Sequence, residues 1–315
     1  VTDSAELNMK IFYKDDMAPI DLPGNYSKSP SKPRRFIEFL RNTRVWDHVE
    51  LSGDFNPINR DQMLLAHEER YVDAFLTGEG HLAGSSRLKW SPKFRDSVLL
   101  TNGCLLHAIE AAIDEPHNIT MAPVSGFHHA RPDGGSGFCA LSGQVISAIE
   151  LYRKRGLRGA WVDLDGHFGN SIGDTVGFAP DVAEAIQVNI NPEGRGERYL
   201  FDLSEKMYDL KSRVVSGEVD YICVAHGADS HEWDQLGGQV DTEEWLRASD
   251  IVYRTIQVMR FNRPNLPVTL SLFGGYRDDH PESVLGLHAM DVASALRHLG
   301  GVEGLDTYRE EVRQP

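Results

Sequence analysis

Four short stretches of this 315-residue chain end in side chains that can hold or serve one catalytic metal. They are Phe127-His128-His129-Ala130, Asp163-Leu164-Asp165-Gly166-His167, Gly227-Ala228-Asp229-Ser230-His231 and Gly274-Gly275-Tyr276. Asp165 and His167 lie two apart where a strand is ending; residues so spaced in extended backbone share a face, so both can reach one ion. Asp229 would complete a set of three protein ligands and leave a coordination position for water or substrate, as a catalytic zinc requires. Beside such a metal, one imidazole of His128-His129 can take a proton from the attacking water while the other holds transition-state charge. Each ring would want an orienting partner on its second nitrogen, and Asp163 and Asn170 flank the ligand pair to supply them. Tyr276 could donate a hydrogen bond to a developing oxyanion. The chemistry that suits this set is metal-assisted amide hydrolysis.

Each piece also has a plainer reading. Asp165-Gly166 alone makes an ordinary turn, adjacent histidines occur on surfaces or in cores, and a tyrosine after two glycines can pack over the turn. His231 and Asp234, just beyond Asp229, could build a second metal position and a two-metal hydrolase. Gly169-Asn170-Ser171-Ile172-Gly173 spells the nucleophile-elbow pattern GxSxG. That elbow needs its serine on a sharp turn leading from strand directly into helix; Ser171 falls several residues past the strand end, and Gly173-Asp174-Thr175 is a poor helix start.

The elements that must position these groups alternate through the second half. Ala160 to Leu164, Ile186 to Ile190, Tyr221 to Ala225 and Val268 to Leu272 read as short buried strands. Between them, Leu200, Leu203, Met207, Leu210 and Val214 keep amphipathic helical spacing, stopped by Gly217. A helix begins at Thr242 as N-cap, and another runs from Pro281 to Leu299, closed by Gly300. Strands alternating with helices and lacking hairpin turns predict a parallel sheet with helices on both faces. In such sheets ligands bind beyond the carboxyl ends of the strands, where Asp165, His167, Asp229 and Tyr276 fall. The first half is less regular: a strand over Lys10–Tyr13, helices from Pro33 to Leu40, over 59–76, 97–114 and Phe138–Tyr152, and loops over 14–33 and 77–96. No linker forces a division, so one domain over 1–315 is expected.

Composition bounds the function. Apolar residues at 41% and charged residues at 25% describe an ordinary globule. Thirty-two Lys and Arg against 47 Asp and Glu give a net charge of −15, which argues against general nucleic-acid or anionic-membrane binding. Cys104, Cys139 and Cys223 lie in apolar windows without CxxC spacing and read as buried thiols of a reducing compartment. No signal-like opening and no apolar run near 18 residues is present, so the expected location is cytoplasmic.

The motifs together resemble the zinc-dependent deacetylase superfamily of histone deacetylases, acetylpolyamine amidohydrolases and acetoin-utilisation proteins. Ser29-Pro30-Ser31-Lys32-Pro33-Arg34-Arg35 resembles its His-Pro-x-x-Pro-x-Arg, and Gly126 to Ala130 with Ser136 to Cys139 its tandem-histidine segment. Asp163 to Asn170 resembles its Asp-x-Asp-x-His-His-Gly-Asn core, Gly227 to Gly238 its third-ligand segment, and Gly274-Gly275-Tyr276 its tyrosine turn. The resemblance implies an arginase/deacetylase-like α/β fold. Zn2+, or alternatively Fe2+, would sit on Asp165, His167 and Asp229. His128 and His129 would be backed by Asp163 and Asn170, and Tyr276 would polarise the acyl carbonyl. It also carries a K+ site near the backbone of Asp163, Asp165 and His167. The substrate it implies is an acylated amine, on a protein, a polyamine or a small molecule; a catalytically silent acyl-ligand-binding protein is the non-enzyme alternative. Oligomeric state is not legible. Ser29, Gly166 and Phe168 depart from the family pattern, and its Pro-Gly-Thr-Gly loop is absent after Ile190, so the pocket is expected to be roofed differently.

Overall fold

The structure is a computed structural model describing residues 9–19, 24–25, 27–115, 119–277 and 279–305. Seven strands form one sheet: β1 Met9–Phe12, β2 Val49–Ser52, β3 Ile119–Met121, β4 Gly159–Asp163, β5 Ile186–Ile190, β6 Tyr221–Ala225 and β7 Val268–Ser271. Their order is β2-β1-β3-β7-β6-β4-β5 and every pairing is parallel. Every residue of β3, β4, β6 and β7 is buried. Runs such as Ala160-Trp161-Val162 and Ile222-Cys223-Val224 are apolar throughout because helices cover both faces of a parallel sheet. The register sets Asp163 beside Ala225 and Ala225 beside Ser271. The segments that follow β4, β6 and β7 therefore leave the sheet side by side, and this convergence places the site.

Among the described residues ten α-helices surround the sheet: α1 Lys32–Leu40, α2 Arg60–Met63, α3 Glu69–Thr77, α4 Pro92–Asp114, α5 Gly143–Arg155, α6 Ser171–Thr175, α7 Asp181–Ala185, α8 Glu197–Ser216, α9 Thr242–Asn262 and α10 Pro281–Gly300. Helix α4 packs along β1, β3 and β7 and against α5, while α1, α10, α9 and α8 pack in sequence on one another. The predicted stripe of α8 is its buried face, Leu200, Leu203, Met207, Leu210 and Val214 included. Helix α9 is capped one residue earlier than its sequence suggested: Asp241 accepts from the Glu244 amide at 2.8 Å while Glu244 returns a bond to the Asp241 amide at 3.0 Å, a reciprocal cap that satisfies two orphan donors. Gly301, at φ +70°, closes α10. Cys104, Cys139 and Cys223 are buried and free, and no helix among the described residues is long and apolar enough to cross a membrane.

Four first-half readings differ from the structure. The helix expected over 138–152 starts only at Gly143, because Phe138 is in the left-handed region at φ +63° and its amide bonds the Ser86 carbonyl. The stretch 59–76 splits into α2 and α3, with the Glu68 amide turned to the Pro132 carbonyl between them. Helix α4 reaches back to Pro92, where Ser91 accepts from the Phe94 amide at 3.1 Å. Strands β2 and β3, four and three residues long, are too short to show a period.

Gly103 of α4 reports on this packing. Glycine inside a helix ordinarily costs about 1 kcal/mol relative to alanine. A Cβ here, however, would stand 1.9 Å from the backbone oxygen of Asn56. Gly103→Ala should therefore destabilise, by roughly 1–3 kcal/mol as overpacking does. Urea unfolding of the two proteins checks the sign; a gain in stability would mean that α4 does not sit against residues 56–57.

Candidate metal centre and catalytic cleft

The centre is built where β4 gives out. The Leu164 amide still bonds the Ala225 carbonyl at 2.8 Å, one residue past the strand, and the chain then turns away. Asp165 is held by two amides, His167 N to Oδ1 at 2.9 Å and Gly274 N to Oδ2 at 2.8 Å. Asp229, wholly buried after β6, accepts from the Gly166 amide at 2.9 Å through Oδ1. Its Oδ2 lies 2.9 Å from Nδ1 of His167, which is also 3.3 Å from Asp165 Oδ1. One ligand atom from each of Asp165, His167 and Asp229 lies within 4.8 Å of the others. Such close approach needs glycines: a Cβ at Gly274 would come within 2.2 Å of the Asp229 carboxylate, and one at Gly227 within 2.4 Å of it. Gly166 has the same reason to be small, since its Cβ would stand 2.6 Å from the Asp229 carbonyl oxygen.

This donor set fits a divalent cation. Nε2 of His167 lies 3.0 Å from the Leu236 carbonyl oxygen. That carbonyl can only accept, so Nε2 carries a proton and Nδ1 is the nitrogen that faces the carboxylates, the one the ring would offer to a metal on losing its second proton. The charges want a cation too. Burial and the adjacent Asp165 push the Asp229 carboxyl up to about 7, and its hydrogen bonds to Asp165 and Asp229 push His167 up to about 11. A proton thus concentrates where a metal would neutralise both acids.

His128 and His129 sit beside this group with rings 4.1 Å apart, and His129 is 6.0 Å from the His167 ring. His128 Nδ1 bonds the buried carboxylate of Asp163 at 2.9 Å, with Nε2 3.6 Å from Asp165. His129 Nδ1 bonds the amide oxygen of Asn170 at 2.8 Å, and Asn170 donates onward to Asp174 at 2.7 Å. The backing groups separate the two rings. Burial opposes charge on His128, but Asp165 and Asp163 outweigh it and raise its pKa to about 9. Burial, with charged His128 beside it, lowers His129 to about 4. The two rings are thus pushed in opposite directions, His128 toward the cation and His129 toward the free base. The glycine-rich stretch 133–137 is laid against them rather than loose: Gly137, at φ +49°, leaves no room for a Cβ, which would be 2.5 Å from the His129 ring.

Tyr276 follows β7 with its amide donated to Asp234. Burial pushes its phenol well above the ordinary range, so it stays a neutral donor. With Arg87, His129, Gly137, Phe138, His167 and Leu236 it lines a cavity of about 500 Å³, the size of a small-molecule site. His128, His129, Asp163, Asp165, His167, Asn170, Asp229 and Tyr276 are therefore brought to one place. Two lining or supporting residues carried no motif signal. Lys32 is buried at the start of α1, donates to the Phe273 carbonyl and lies 5.6 Å from the Tyr276 ring. Burial lowers its pKa to about 8 against the pull of Asp229, Asp165 and Asp234. Arg87 is exposed at the cavity. The extra metal position does not form. His231 uses both ring nitrogens, on Thr242 Oγ1 at 2.8 Å and the Trp233 amide at 3.2 Å, and among the described residues no other group of three ligands gathers. Ser171 does open a short helix, α6, but is wholly buried with its hydroxyl toward Gln144, and cannot be a nucleophile.

A parallel sheet carrying an Asp/His/Asp centre at its strand ends, with paired histidines above it, defines an arginase/deacetylase-like α/β protein. The histone deacetylase domain family matches residues 26–185, just over half of the chain, and the chain belongs to that family. Asp229 and Tyr276 lie beyond the match and join the site through the fold. The crystal structure of the HDA15 HD domain superposes with a TM-score of 0.70 over 98% of this chain and 94% of that one, at 14% sequence identity; that likeness is one of fold. An uncharacterised Picosynechococcus protein is 29% identical over 69% of this chain and 76% of its own length. Histone deacetylase B of Dictyostelium discoideum is 26% identical over 68% of this chain, which spans 60% of that protein. Histone deacetylase 8 of Xenopus laevis is 33% identical over 28% of this chain and 26% of its own length. The member is a divergent one.

Asp165→Ala and Asp229→Ala should each lower bound divalent metal at least tenfold, because three protein ligands leave none in reserve. Elemental analysis after equilibrium dialysis reads this directly. Stoichiometric metal in either variant would remove that carboxylate from the ligand set.

Proposed function

We propose that this protein is a metal-dependent amidohydrolase that removes an acetyl or other small acyl group from an amine. The observation that carries the reading is the unequal backing of the two histidines, one by Asp163 and one by Asn170, beside the Asp165/His167/Asp229 group and a cavity lined by His129, His167 and Tyr276. A divalent cation on those three ligands, zinc in this reading with Fe2+ as the alternative, would supply Lewis acidity toward a carbonyl and toward water.

The protein's own groups account for the proton movements. His129, neutral at pH 7, accepts a proton from the attacking water through Nε2 while Asn170 holds its Nδ1. His128, kept cationic by Asp163, stabilises the negative charge that gathers on the tetrahedral carbon's oxygens. Tyr276, a protonated phenol, donates to the oxyanion. The proton taken by His129 then passes to the departing nitrogen, so that C–N cleavage yields a carboxylic acid and an amine, and His129 returns to its starting state. Phe138 and Leu236 line the walls and limit water around the reacting group.

Metal-loaded protein assayed against acyl-lysines, acetylpolyamines and small amides tests the class of reaction; full metal occupancy with turnover on none would leave only the ligand-binding alternative. Within the reading, His129→Ala should keep its metal and lose about 10²–10⁴-fold in rate, the scale of a general base. Tyr276→Phe should lower kcat by roughly 10²–10³, the scale of one oxyanion donor, with metal content and Tm nearly unchanged. A Tyr276→Phe enzyme of full kcat would reduce the tyrosine to packing over Gly274-Gly275.

A further inference from the structure

Arg87 is held at the cavity in a way that packing does not explain. Its backbone is left-handed, φ +64°, one of three non-glycine residues so placed among the described residues. That conformation costs roughly 1–3 kcal/mol and persists only where the surroundings impose it. Here they do. The Ser86 carbonyl on one side accepts from the Phe138 amide at 3.0 Å, and the Ser85 hydroxyl accepts from the Gly135 amide at 2.8 Å. A Cβ on Gly135 would stand 2.9 Å from Ser86 Cβ, so the two segments are in close contact. The strain turns an exposed guanidinium to the wall shared by His129, His167 and Tyr276.

The charge itself has no internal use. Among the described residues the Arg87 side chain has no hydrogen-bond or ion-pair partner, and no carboxylate lines the cavity. The other arginines from α3 to α4 each have one: Arg70 pairs with Glu68 and Arg95 with Asp96. On a chain of net charge −15, Arg87 is not part of a general basic surface. It is the single permanent charge on the cavity wall among the described residues, on a site otherwise lined by rings and Leu236.

We propose that Arg87 is a specificity residue that binds a carboxylate of the substrate, so that the site takes acidic acyl amines in preference to polyamines or neutral amides. The inference rests on the amidohydrolase reading above and narrows its substrate. A guanidinium presents paired donors that match a carboxylate in two parallel hydrogen bonds, and it repels the second ammonium of a polyamine. The carboxylate can belong to the amine half, as in an N-acyl amino acid, or to the acyl half, as in an amide of a dicarboxylic acid.

The test compares zinc-loaded wild type, Arg87→Gln and Arg87→Gly on matched pairs. N-acetyl ω-amino acids of two to six carbons are set against their methyl amides, and N-butylsuccinamate against N-butylacetamide. Glycine suits φ +64° without the charge, so the two variants separate loss of charge from loss of loop conformation. Wild type should prefer the acid of at least one series by about 10–100-fold in kcat/KM, through KM, the scale of charged hydrogen bonds. That ratio should fall to about 1 in both variants. The series showing the preference tells which half of the substrate carries the carboxylate. No preference in wild type, or one that survives both substitutions, overturns the proposal. If wild type hydrolyses none of the compounds, the amidohydrolase reading fails on its own. Calorimetric binding of the same acids then decides for Arg87, tighter to wild type than to both variants if it is right and equal if it is wrong.

Discussion

Two buried carboxylates held close together govern this structure. Asp165 and Asp229 contribute ligand atoms within 4.8 Å of each other, a separation at which two full charges repel by about 3–4 kcal/mol at an effective dielectric near 20. Desolvation adds to that, since burial disfavours charge on each. The fold answers by spending backbone amides on them, those of Gly166, His167 and Gly274, and by setting His167 between them. These amides fix the orientation of the oxygens, and a cation held by the group would offset the charge that remains.

The rest of the molecule follows from holding that point still. Asp165, Asp229 and Gly274 come from segments after β4, β6 and β7, and only adjacent parallel strands with this register bring three such segments together. Parallel strands of one sheet require crossover connections, here α8 from β5 to β6 and α9 from β6 to its neighbour β7. The buried stripes of those helices therefore serve the centre at a distance. The glycines at 227 and 274 serve it at contact, because any side chain there would occupy the space of the Asp229 carboxylate.

This division explains what could be read from the sequence. The second half is a series of short apolar strands and amphipathic helices whose periods are undiluted, so β4 to β7 and α8 to α10 were legible, and with them the position of every candidate ligand. The first half hides its strands in three- and four-residue pieces, and its loops are shaped by contacts between distant segments. The Phe138 amide on the Ser86 carbonyl decides where α5 cannot begin, and nothing near residue 138 announces it. Lys32 was invisible for a related reason: a lysine at a helix start reads as solvated until α10, the 273–276 turn and the carboxylates close around it. Arg87 has no motif at all, only a backbone angle and a place on a wall.

The two histidines show how one fold can obtain opposite protonation states from the same residue type at adjacent positions. His128 is buried, with Asp163 on Nδ1 and Asp165 3.6 Å from Nε2, whereas His129 is half-buried with Asn170 on Nδ1. The carboxylate at 2.9 Å favours the charged ring, and the amide at 2.8 Å gives the next ring no such charge to pair with. The cation then depresses its neighbour further, since two charged imidazoles 4.1 Å apart would repel. The separation is thus self-reinforcing, and the carboxylates of Asp165 and Asp163 favour the charge on His128. The reacting end of the cavity is consequently a place where charge is already paired off, which leaves Arg87, on the wall, as the group able to discriminate between substrates by their charge.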